Sequence, residues 1–320
     1  MHRIRGSAEF LFLSLLLAAL TAFFSILSPH FWSVATLQTI TSQIPALALT
    51  ALGTTFVLVS GSIDLSVGSI AALAGTVFGW SVADRALPVP VGVVFALAAG
   101  LMVGGVNGML VNALRVPSFI VTLGMLEAVR GLAYLITNSQ TRYLGDVLGW
   151  WQAPLIGIGL SAAFLVALGL TGIAQFVLTR TVFGRHTVAV GTNAEASRLV
   201  GLSASRVRAG VFAISGGLAA LAGLLHVARL GAADPNAGSG LELSAIAAAV
   251  IGGTSLMGGR GSMLATFIGV LIIATLETGL AHLGVSEPLK RVVTGTVIIG
   301  AVGAEAMRAR LAARRRRAVK

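Results

Sequence analysis

The stretch Phe10-Leu-Phe-Leu-Ser-Leu-Leu-Leu-Ala-Ala-Leu-Thr-Ala-Phe-Phe-Ser-Ile-Leu27 carries no charged side chain. A helix crosses the hydrocarbon core of a bilayer in about 20 apolar residues, so this stretch has the length of a membrane span. It follows the basic start Met1-His-Arg-Ile-Arg5, as a signal peptide would. However, it is long for the apolar region of a signal peptide, and no small-residue cleavage site follows before Pro29. We therefore predict a span that is retained.

The rest of the chain repeats this apolar pattern. Of its 320 residues, 56% are hydrophobic and 10% are charged, and the mean hydropathy is +0.93. Soluble domains carry roughly 25% charged residues. We predict an all-α, polytopic membrane protein with about ten transmembrane helices in a single transmembrane domain, residues 1–320. The predicted spans are residues 8–28, 42–60, 66–83, 89–114, 117–137, 154–179, 209–228, 241–257, 262–283 and 289–306.

Basic residues are distributed unevenly between the two sides of these spans. With a cytoplasmic N-terminus, 16 of the 22 Lys and Arg residues fall in cytoplasmic segments, including the basic tail at residues 307–320. Anionic headgroups and the insertion machinery both favour basic residues on that side. We expect a multi-pass protein of a bacterial inner membrane with both termini cytoplasmic. The net charge of +11 then reflects topology rather than nucleic-acid binding.

Small residues recur at every fourth position on two of the predicted spans. Gly100, Gly104 and Gly108 do so on the fourth span, and Ala219 and Gly223 on the seventh. In lipid, small residues let two helix backbones approach closely and gain dispersion contacts. These stripes predict packing seams between helices of the same chain, with an interface between subunits as the alternative.

The sequence lacks the residue patterns of catalytic and metal sites. It has no cysteine and only five scattered histidines, so we expect no catalytic, metal or cofactor site in this chain. A phosphate-binding loop needs a Lys directly after Gly, but Lys290 and Lys320 follow Leu289 and Val319. If the chain is a transporter, its energy comes from a separate nucleotide-binding protein or from an ion gradient.

Two polar, glycine-rich hairpins interrupt the apolar runs at comparable places. They are Ser60-Gly-Ser-Ile-Asp-Leu-Ser-Val-Gly-Ser69 and Ile251-Gly-Gly-Thr-Ser-Leu-Met-Gly-Gly-Arg-Gly-Ser262. Non-helical backbone at membrane depth persists only where protein or a watery cavity satisfies its polar groups. The pair therefore suggests an internal duplication and a polar path through the domain.

Residues 180–208 form the longest stretch outside the predicted spans. Within it, Thr192 or Asn193 is a suitable helix cap, Glu195 falls in the first turn and Gly201 is a C-terminal stop signal. The pattern predicts a short helix that lies on the membrane face. The alternative is a surface linker that joins two halves of the domain.

Glu195-Ala196-Ser197, with Gly201 four residues after Ser197, resembles the Glu-Ala-Ala-x-x-x-Gly signature with which ABC importer permeases dock a coupling helix into their ATPase. Ser197 departs from the second Ala, and no Ile-x-Leu-Pro follows. Other stretches, within about residues 40–300, are similar to the ribose-type permeases of ABC sugar importers. They are Phe183-Gly184-Arg185, Ala189-Val-Gly191-Thr-Asn193, Gly61-Ser-Ile-Asp-Leu-Ser-Val-Gly68, Pro117-Ser-Phe-Ile-Val-Thr-Leu-Gly124 with Arg130-Gly131, and Leu243-Ser-Ala-Ile-Ala-Ala-Ala-Val-Ile-Gly-Gly-Thr254 with Gly258-Gly259.

This resemblance implies the permease subunit of a bacterial ATP-binding cassette importer for a monosaccharide of the ribose, xylose, arabinose or galactose class. It also implies a homodimer or a pair of related permeases, a cytoplasmic ATPase that uses ATP and Mg, and an external sugar-binding protein. The segment at residues 180–208 becomes the cytoplasmic coupling segment. The coupling residues are then Asn193, Glu195, Ala196, Ser197, Arg198 and Gly201.

Polar side chains in or beside the spans are candidates for a path or gate. Asp64 either gates the path or pins its hairpin through backbone hydrogen bonds. Glu127 and Arg130 are expected to pair with each other, because an unpaired charge within a span is costly. Lone polar residues in spans more often form interhelical hydrogen bonds. The candidates are Asp64, Ser66, Asn107, Thr122, Glu127, Arg130 and Glu277.

A second hypothesis is an ion-gradient-driven secondary transporter or channel for a small polar solute. The interrupted spans and the carboxylates Glu127 and Glu277 support it. The two hypotheses differ in whether the chain needs an ATPase.

Overall fold

The computed structural model describes residues 2–153, 155, 160–297, 299–300, 303 and 307, with the backbone alone for residues 2–9. Within these residues the chain is almost entirely helical. The helices are α1 (His2–Leu27), α2 (Val34–Val59), α3 (Val67–Gly79), α4 (Val89–Leu114), α5 (Ser118–Thr137), α6 (Ala162–Arg180), α7 (Val182–Thr192), α8 (Ala194–Leu199), α9 (Ala204–Leu230), α10 (Leu241–Ile251), α11 (Met263–His282) and α12 (residues 287–297). A π-helical turn, Trp80–Asp84, extends α3, and a 3-10 turn spans Gly149–Trp151. The strands β1 (Arg142–Tyr143) and β2 (Ala232–Ala233) form one antiparallel pair.

The helices confirm the predicted all-α membrane architecture. In the part of the chain that the structure describes, eight are long and apolar enough to cross a membrane: α1, α2, α3 with its π-helical turn, α4, α5, α6, α9 and α11. Helix α10 is apolar but has only 11 residues. Helix α12 corresponds to the start of the tenth predicted span. The end of that span and most of the basic tail at residues 307–320 lie outside the described residues.

Five predicted helix boundaries were wrong by more than one turn. Helices α1 and α9 begin at His2 and Ala204 rather than at residues 8 and 209. Helices α2 and α6 begin at Val34 and Ala162 rather than at residues 42 and 154. The reason is capping, because the Ser33 and Ser161 hydroxyls each accept a hydrogen bond from the backbone N–H three positions later. Helix α10 ends at Ile251 rather than at residue 257, where a glycine pair leaves the helical conformation.

The predicted glycine stripes are packing seams. A Cβ at Gly104 would overlap the carbonyl oxygen of Phe212, and one at Gly108 would lie 2.6 Å from the Cα of Ala209. Helices α4 and α9 thus touch backbone to backbone along this stripe. Gly223, on another side of α9, makes the same kind of contact with α3. These close approaches supply dispersion contacts that a hydrophobic effect cannot provide between helices in lipid.

The helices differ in how much of their surface the protein covers. Most of α2, α3 and α11 is buried, whereas α1, α4, α5 and α6 keep large apolar side chains exposed. On the latter helices Met102, Leu135 and Ile173 are 67%, 75% and 60% exposed. Exposed apolar side chains at mid-helix suit contact with lipid tails or with a second membrane subunit.

The loops gather at two ends of the bundle. The end that we call the basic end comprises residues 60–66, 115–117, 181–203 and 252–262 together with the start of α1. The opposite end comprises the described residues of 28–33, 85–88, 138–153, 155, 160–161, 231–240 and 283–286. The basic end is named for its arginines, which include Arg115, Arg180, Arg185, Arg198, Arg206, Arg208 and Arg260.

Candidate functional site

The predicted short helix in the segment at residues 180–208 is present as α8. Its cap is Asn193, whose Oδ1 accepts the backbone N–H of Ala196 at 2.9 Å. The helix ends at Leu199, and Gly201 follows in the left-handed conformation with φ +82°. The N–H of Gly201 donates to Arg198 O at 3.0 Å. The cap and the stop were therefore predicted correctly from the sequence.

Helix α8 presents most of its surface away from the protein. Glu195 and Arg198 form an ion pair of 2.7 Å with both side chains largely exposed. Beside them the side chains of Leu199 and Val200 are 79% and 75% exposed. An exposed ion pair contributes little to stability. Two aliphatic side chains next to a charged pair instead form a small surface of mixed character that suits a protein partner.

Ser197 is the one coupling candidate that faces the protein. It is buried, and its Oγ donates to Asn193 O at 2.9 Å. Its replacement of the second Ala of the signature therefore adds a hydrogen bond within the helix. Behind α8, a cavity of about 770 Å³ lies between the ends of α4, α5 and α9, with Arg115 and Arg208 in its wall.

The backbones of three segments meet at one point on the basic end, which we call the glycine junction: Gly61, Gly191, Gly258 and Gly259. The N–H of Gly259 donates to Val59 O at 2.9 Å. A Cβ at Gly191 would overlap that same carbonyl oxygen, and a Cβ at Gly258 would lie 2.8 Å from the Cα of Gly61. The last turn of α7, which leads into α8, therefore touches both polar hairpins directly.

The hairpin between α2 and α3 is pinned by a buried polar cluster. Asp64 is fully buried, and its Oδ1 accepts the backbone N–H of Ser66 at 3.0 Å and the Ser66 hydroxyl at 2.7 Å. Its Oδ2 accepts the Ser215 hydroxyl at 3.3 Å, and the Asn107 amide donates to Ser66 Oγ at 2.8 Å. Burial raises the pKa of the Asp64 carboxyl, and its hydrogen bonds to Ser66 and then Ser215 lower it.

Helix α5 holds the same hairpin from the other side. The Ser118 hydroxyl accepts the N–H of Ile63 at 2.8 Å, and Thr122 Oγ1 accepts the N–H of Leu65 at 3.1 Å. Sequence reasoning missed Ser118 and Ser215. Ser118 sits directly after Pro117 at the start of a span, but Ser215 lies within an ordinary apolar run and gives no such signal.

Asp64, Ser66, Asn107 and Thr122 are all fully buried in this arrangement. Their polar groups bond mainly to one another and to the hairpin backbone. They act here as a structural pin, and a role for them in the path stays a prediction.

The predicted ion pair between Glu127 and Arg130 was wrong. Arg130 Nη1 donates instead to the carbonyl oxygens of Pro235 and Ala237, each at 2.7 Å. Glu127 is exposed and is absent from the ion pairs found among the described residues. The guanidinium satisfies itself with two backbone acceptors in the loop before α10, which local sequence spacing does not reveal.

Glu277 lies elsewhere, in the half of α11 nearer the opposite end. It lines a cavity of about 690 Å³ between α2, α9, α10, α11 and α12. The predicted site residues thus fall into three groups. They are the exposed surface of α8, the buried pin below the basic end and the wall of this opposite-end cavity.

Eight candidate spans, polar hairpins between them and an exposed helix joined to those hairpins are the features of a membrane transport subunit. The chain belongs to the family described as the permease component of branched-chain amino acid transport systems, which matches residues 36–302. It is an integral membrane protein of the permease type.

Three relatives illustrate the range of this similarity. The chain is 40% identical over 295 residues to the ribose import permease protein RbsC of Escherichia coli strain K12, covering 89% of this chain and 90% of that protein. It is 38% identical over 284 residues to RbsC of Bacillus subtilis, covering 87% of each. It is 32% identical over 309 residues to the fructose import permease protein FrcC of Rhizobium meliloti, covering 94% and 86%. These relatives confirm the resemblance to ribose-type permeases, and no solved structure matches the chain.

Proposed function

We propose that this chain is the membrane permease subunit of a bacterial ABC importer and that it forms the translocation path for a monosaccharide. Relatives named as ribose and fructose import permeases, matched along nearly their full length, support the substrate class. The basic end faces the cytoplasm, because basic residues are retained on that side of the membrane.

The observation that carries the proposal is the connection between α8 and the two hairpins. Helix α8 is exposed at the basic end, and the helix before it ends at the glycine junction against Gly61 and Gly258. A displacement of α8 by a partner therefore reaches both hairpins through backbone contacts, with few flexible side chains in between. This is the arrangement that a subunit powered from the cytoplasm requires.

The partners follow from the same arrangement. A cytoplasmic ATPase that uses ATP and Mg docks on α8, and an external sugar-binding protein delivers solute to the opposite end. A second permease copy completes the path in a bacterial inner membrane, and the exposed apolar faces of α4 and α5 are available for it.

The proposal is tested by purifying the tagged full chain from its host membrane and reconstituting it in liposomes. We expect an ATPase to co-purify, and we expect D-ribose uptake only when ATP, that ATPase and the binding protein are present. Sugar uptake driven by an ion gradient with the chain alone would instead establish a secondary transporter.

The glycine junction gives a sharper form of this test. Gly191→Ala places a Cβ against Val59 O and 2.7 Å from the Gly259 amide nitrogen. We expect ATP hydrolysis to continue while D-ribose uptake falls at least about tenfold, because α7 is forced away from the hairpins. Gly169→Ala is the control, since a Cβ there meets no atom within 4 Å. Equal uptake in the two variants would contradict the proposed connection.

A further inference from the structure

The opposite-end cavity that contains Glu277 has an unusual wall for the interior of a membrane protein. Beside Glu277 it is lined by His226 and Arg229 of α9, by Gln152 and by Thr278. These residues come from three separate parts of the sequence. Ionisable side chains within spans are costly in lipid and characteristically face a functional cavity.

Two buried acceptor atoms in this wall have no hydrogen-bond partner among the described residues. Gln152 Oε1 and Thr278 Oγ1 are buried and accept no hydrogen bond in the described part of the chain. The side chains of His226, Arg229 and Glu277 make none of the hydrogen bonds or ion pairs found among the described residues, although the opposite charges of Arg229 and Glu277 attract each other. More than about 90% of buried polar groups in proteins are paired, so Gln152 Oε1 and Thr278 Oγ1 call for donors from outside the chain.

The chemistry of the wall indicates what those partners are. A carboxylate supplies acceptors, a guanidinium supplies donors, and an amide oxygen and a hydroxyl add further acceptors. Each hydroxyl of a sugar both donates and accepts. The wall carries three basic side chains, of Arg229, Lys290 and Arg291, and the carboxylates of Glu277 and Glu287, with Lys290 paired to Glu287 at 3.4 Å. Because these charges nearly balance, the wall favours a neutral polyhydroxylated solute over an ion.

The cavity also has the properties of a site that a solute occupies briefly during transport, and not those of a high-affinity binding site. Its wall contains no Phe, Tyr or Trp side chain among the described residues, so it lacks the large aromatic faces on which a sugar ring stacks in a tight binding site. A site on a path must bind strongly enough for entry and weakly enough for release. The cavity lies toward the end of the bundle remote from α8.

We propose that the opposite-end cavity binds a neutral monosaccharide during translocation, with Glu277, Arg229 and His226 hydrogen-bonding its hydroxyls. This inference rests on the proposed function, because it names the place within the permease where the imported solute is held. The sequence groups Glu277 with Asp64 as candidates for a path or gate. Glu277 is thereby assigned to the solute site, whereas Asp64 belongs to the buried pin of the hairpin.

A first experiment measures occupancy without transport. The chain contains no cysteine, so Ser244→Cys introduces one thiol in the cavity wall, at a hydroxyl with no hydrogen bond of its own. We expect a membrane-impermeant thiol reagent to label it. At a D-ribose concentration about ten times the half-protecting value, the labelling rate falls about tenfold. Val147→Cys, exposed at the same end, is the control and should label at an unchanged rate. Labelling of Ser244→Cys that D-ribose leaves unaltered overturns the site.

A second experiment uses the reconstituted complex with its ATPase and binding protein. For Glu277→Gln we expect D-ribose uptake to fall at least about tenfold while ATP hydrolysis stimulated by the binding protein stays within about twofold. Asp146→Asn, the same change at an exposed loop carboxylate, should leave both rates unaltered. Wild-type uptake by Glu277→Gln overturns this site alone. A wild-type complex that imports no sugar overturns the proposed function, and this inference with it.

Discussion

Asp64 shows how a single carboxylate organises the hairpin between α2 and α3. It receives two hydrogen bonds from Ser66 and one from Ser215 on α9. The side-chain amide of Asn107, on α4, joins the cluster by donating to Ser66 Oγ. The hairpin is thereby fixed to two neighbouring helices. The Ser66 and Ser215 donors are buried, so they depend on the Asp64 carboxylate as their acceptor.

Replacing Asp64 with Ala should destabilise the folded protein. The change leaves buried donors of Ser66 and Ser215 without an acceptor, which costs about 3 kcal/mol in total. We expect a clear fall in the midpoint of thermal or denaturant unfolding of the purified chain in detergent. Asp146→Ala removes an exposed carboxylate and should shift the midpoint little. Equal midpoints for the two variants would show that the cluster does not pin the hairpin.

Among the helices, α8 and the seam between α4 and α9 are stabilised by different interactions. Helix α8 has six residues and is too short to be stable by itself, so it depends on its Asn193 cap and on its packing. Helices α4 and α9 depend on small residues that let their backbones touch, such as Gly104. The stability of α8 is therefore sensitive to loss of its cap. The packing of α4 against α9 is sensitive to any increase in side-chain volume.

Loss of the cap should weaken docking of the ATPase without unfolding the permease. Asn193→Ala removes the acceptor for the Ala196 N–H and destabilises α8 by about 1 kcal/mol. Asn193→Asp keeps an acceptor and serves as the matched control. We expect less ATPase to co-purify with Asn193→Ala, and an unfolding midpoint close to wild type for both variants. Co-purification that is the same for Ala and Asp would separate α8 from docking.

The seam can be tested at two adjacent glycines of α4. A Cβ at Gly104 overlaps Phe212 O, whereas a Cβ at Gly105 meets no atom within 4 Å. Gly104→Ala should therefore lower the stability of the chain by about 1–3 kcal/mol, because it forces α4 and α9 apart. Gly105→Ala should be neutral or slightly stabilising, since Ala favours helix. Unfolding midpoints in detergent measure both, and the opposite order would place the seam elsewhere.

In the molecule as a whole, the distribution of charge predicts the orientation in the membrane. The arginines around α8 share one end of the bundle, and the opposite end carries Arg85, Arg142 and few others. Arg142 is moreover paired with Asp84 at 3.1 Å, which reduces its effective charge. The basic end is therefore the end expected to remain in the cytoplasm.

Single cysteines in this cysteine-free chain test the orientation directly. Leu199→Cys on α8 and Tyr143→Cys on β1 replace side chains that are 79% and 83% exposed. In intact spheroplasts we expect a membrane-impermeant maleimide to label Tyr143→Cys only. In inverted membrane vesicles it should label Leu199→Cys only. The reverse pattern would invert the molecule and remove α8 from the reach of a cytoplasmic ATPase.

The membrane class, most spans, the charge asymmetry and the short helix capped at Asn193 can be read from the sequence alone. These properties depend on local signals: the length of an apolar run, a capping side chain, or a stop at Gly201. The family resemblance was also carried by short stretches that are contiguous in sequence. A single sequence is sufficient for such features, because neighbouring residues alone produce them.

Which polar groups meet depends on helix packing and could not be predicted from the sequence. Arg130 bonds to Pro235 and Ala237, more than a hundred positions away, and not to Glu127 three positions before it. The contribution of Ser215 to the Asp64 cluster, the glycine junction and the wall of the cavity around Glu277 arise in the same way. The physical reason is that a buried polar group takes the best-placed partner in space, and helix packing sets that position independently of distance along the chain.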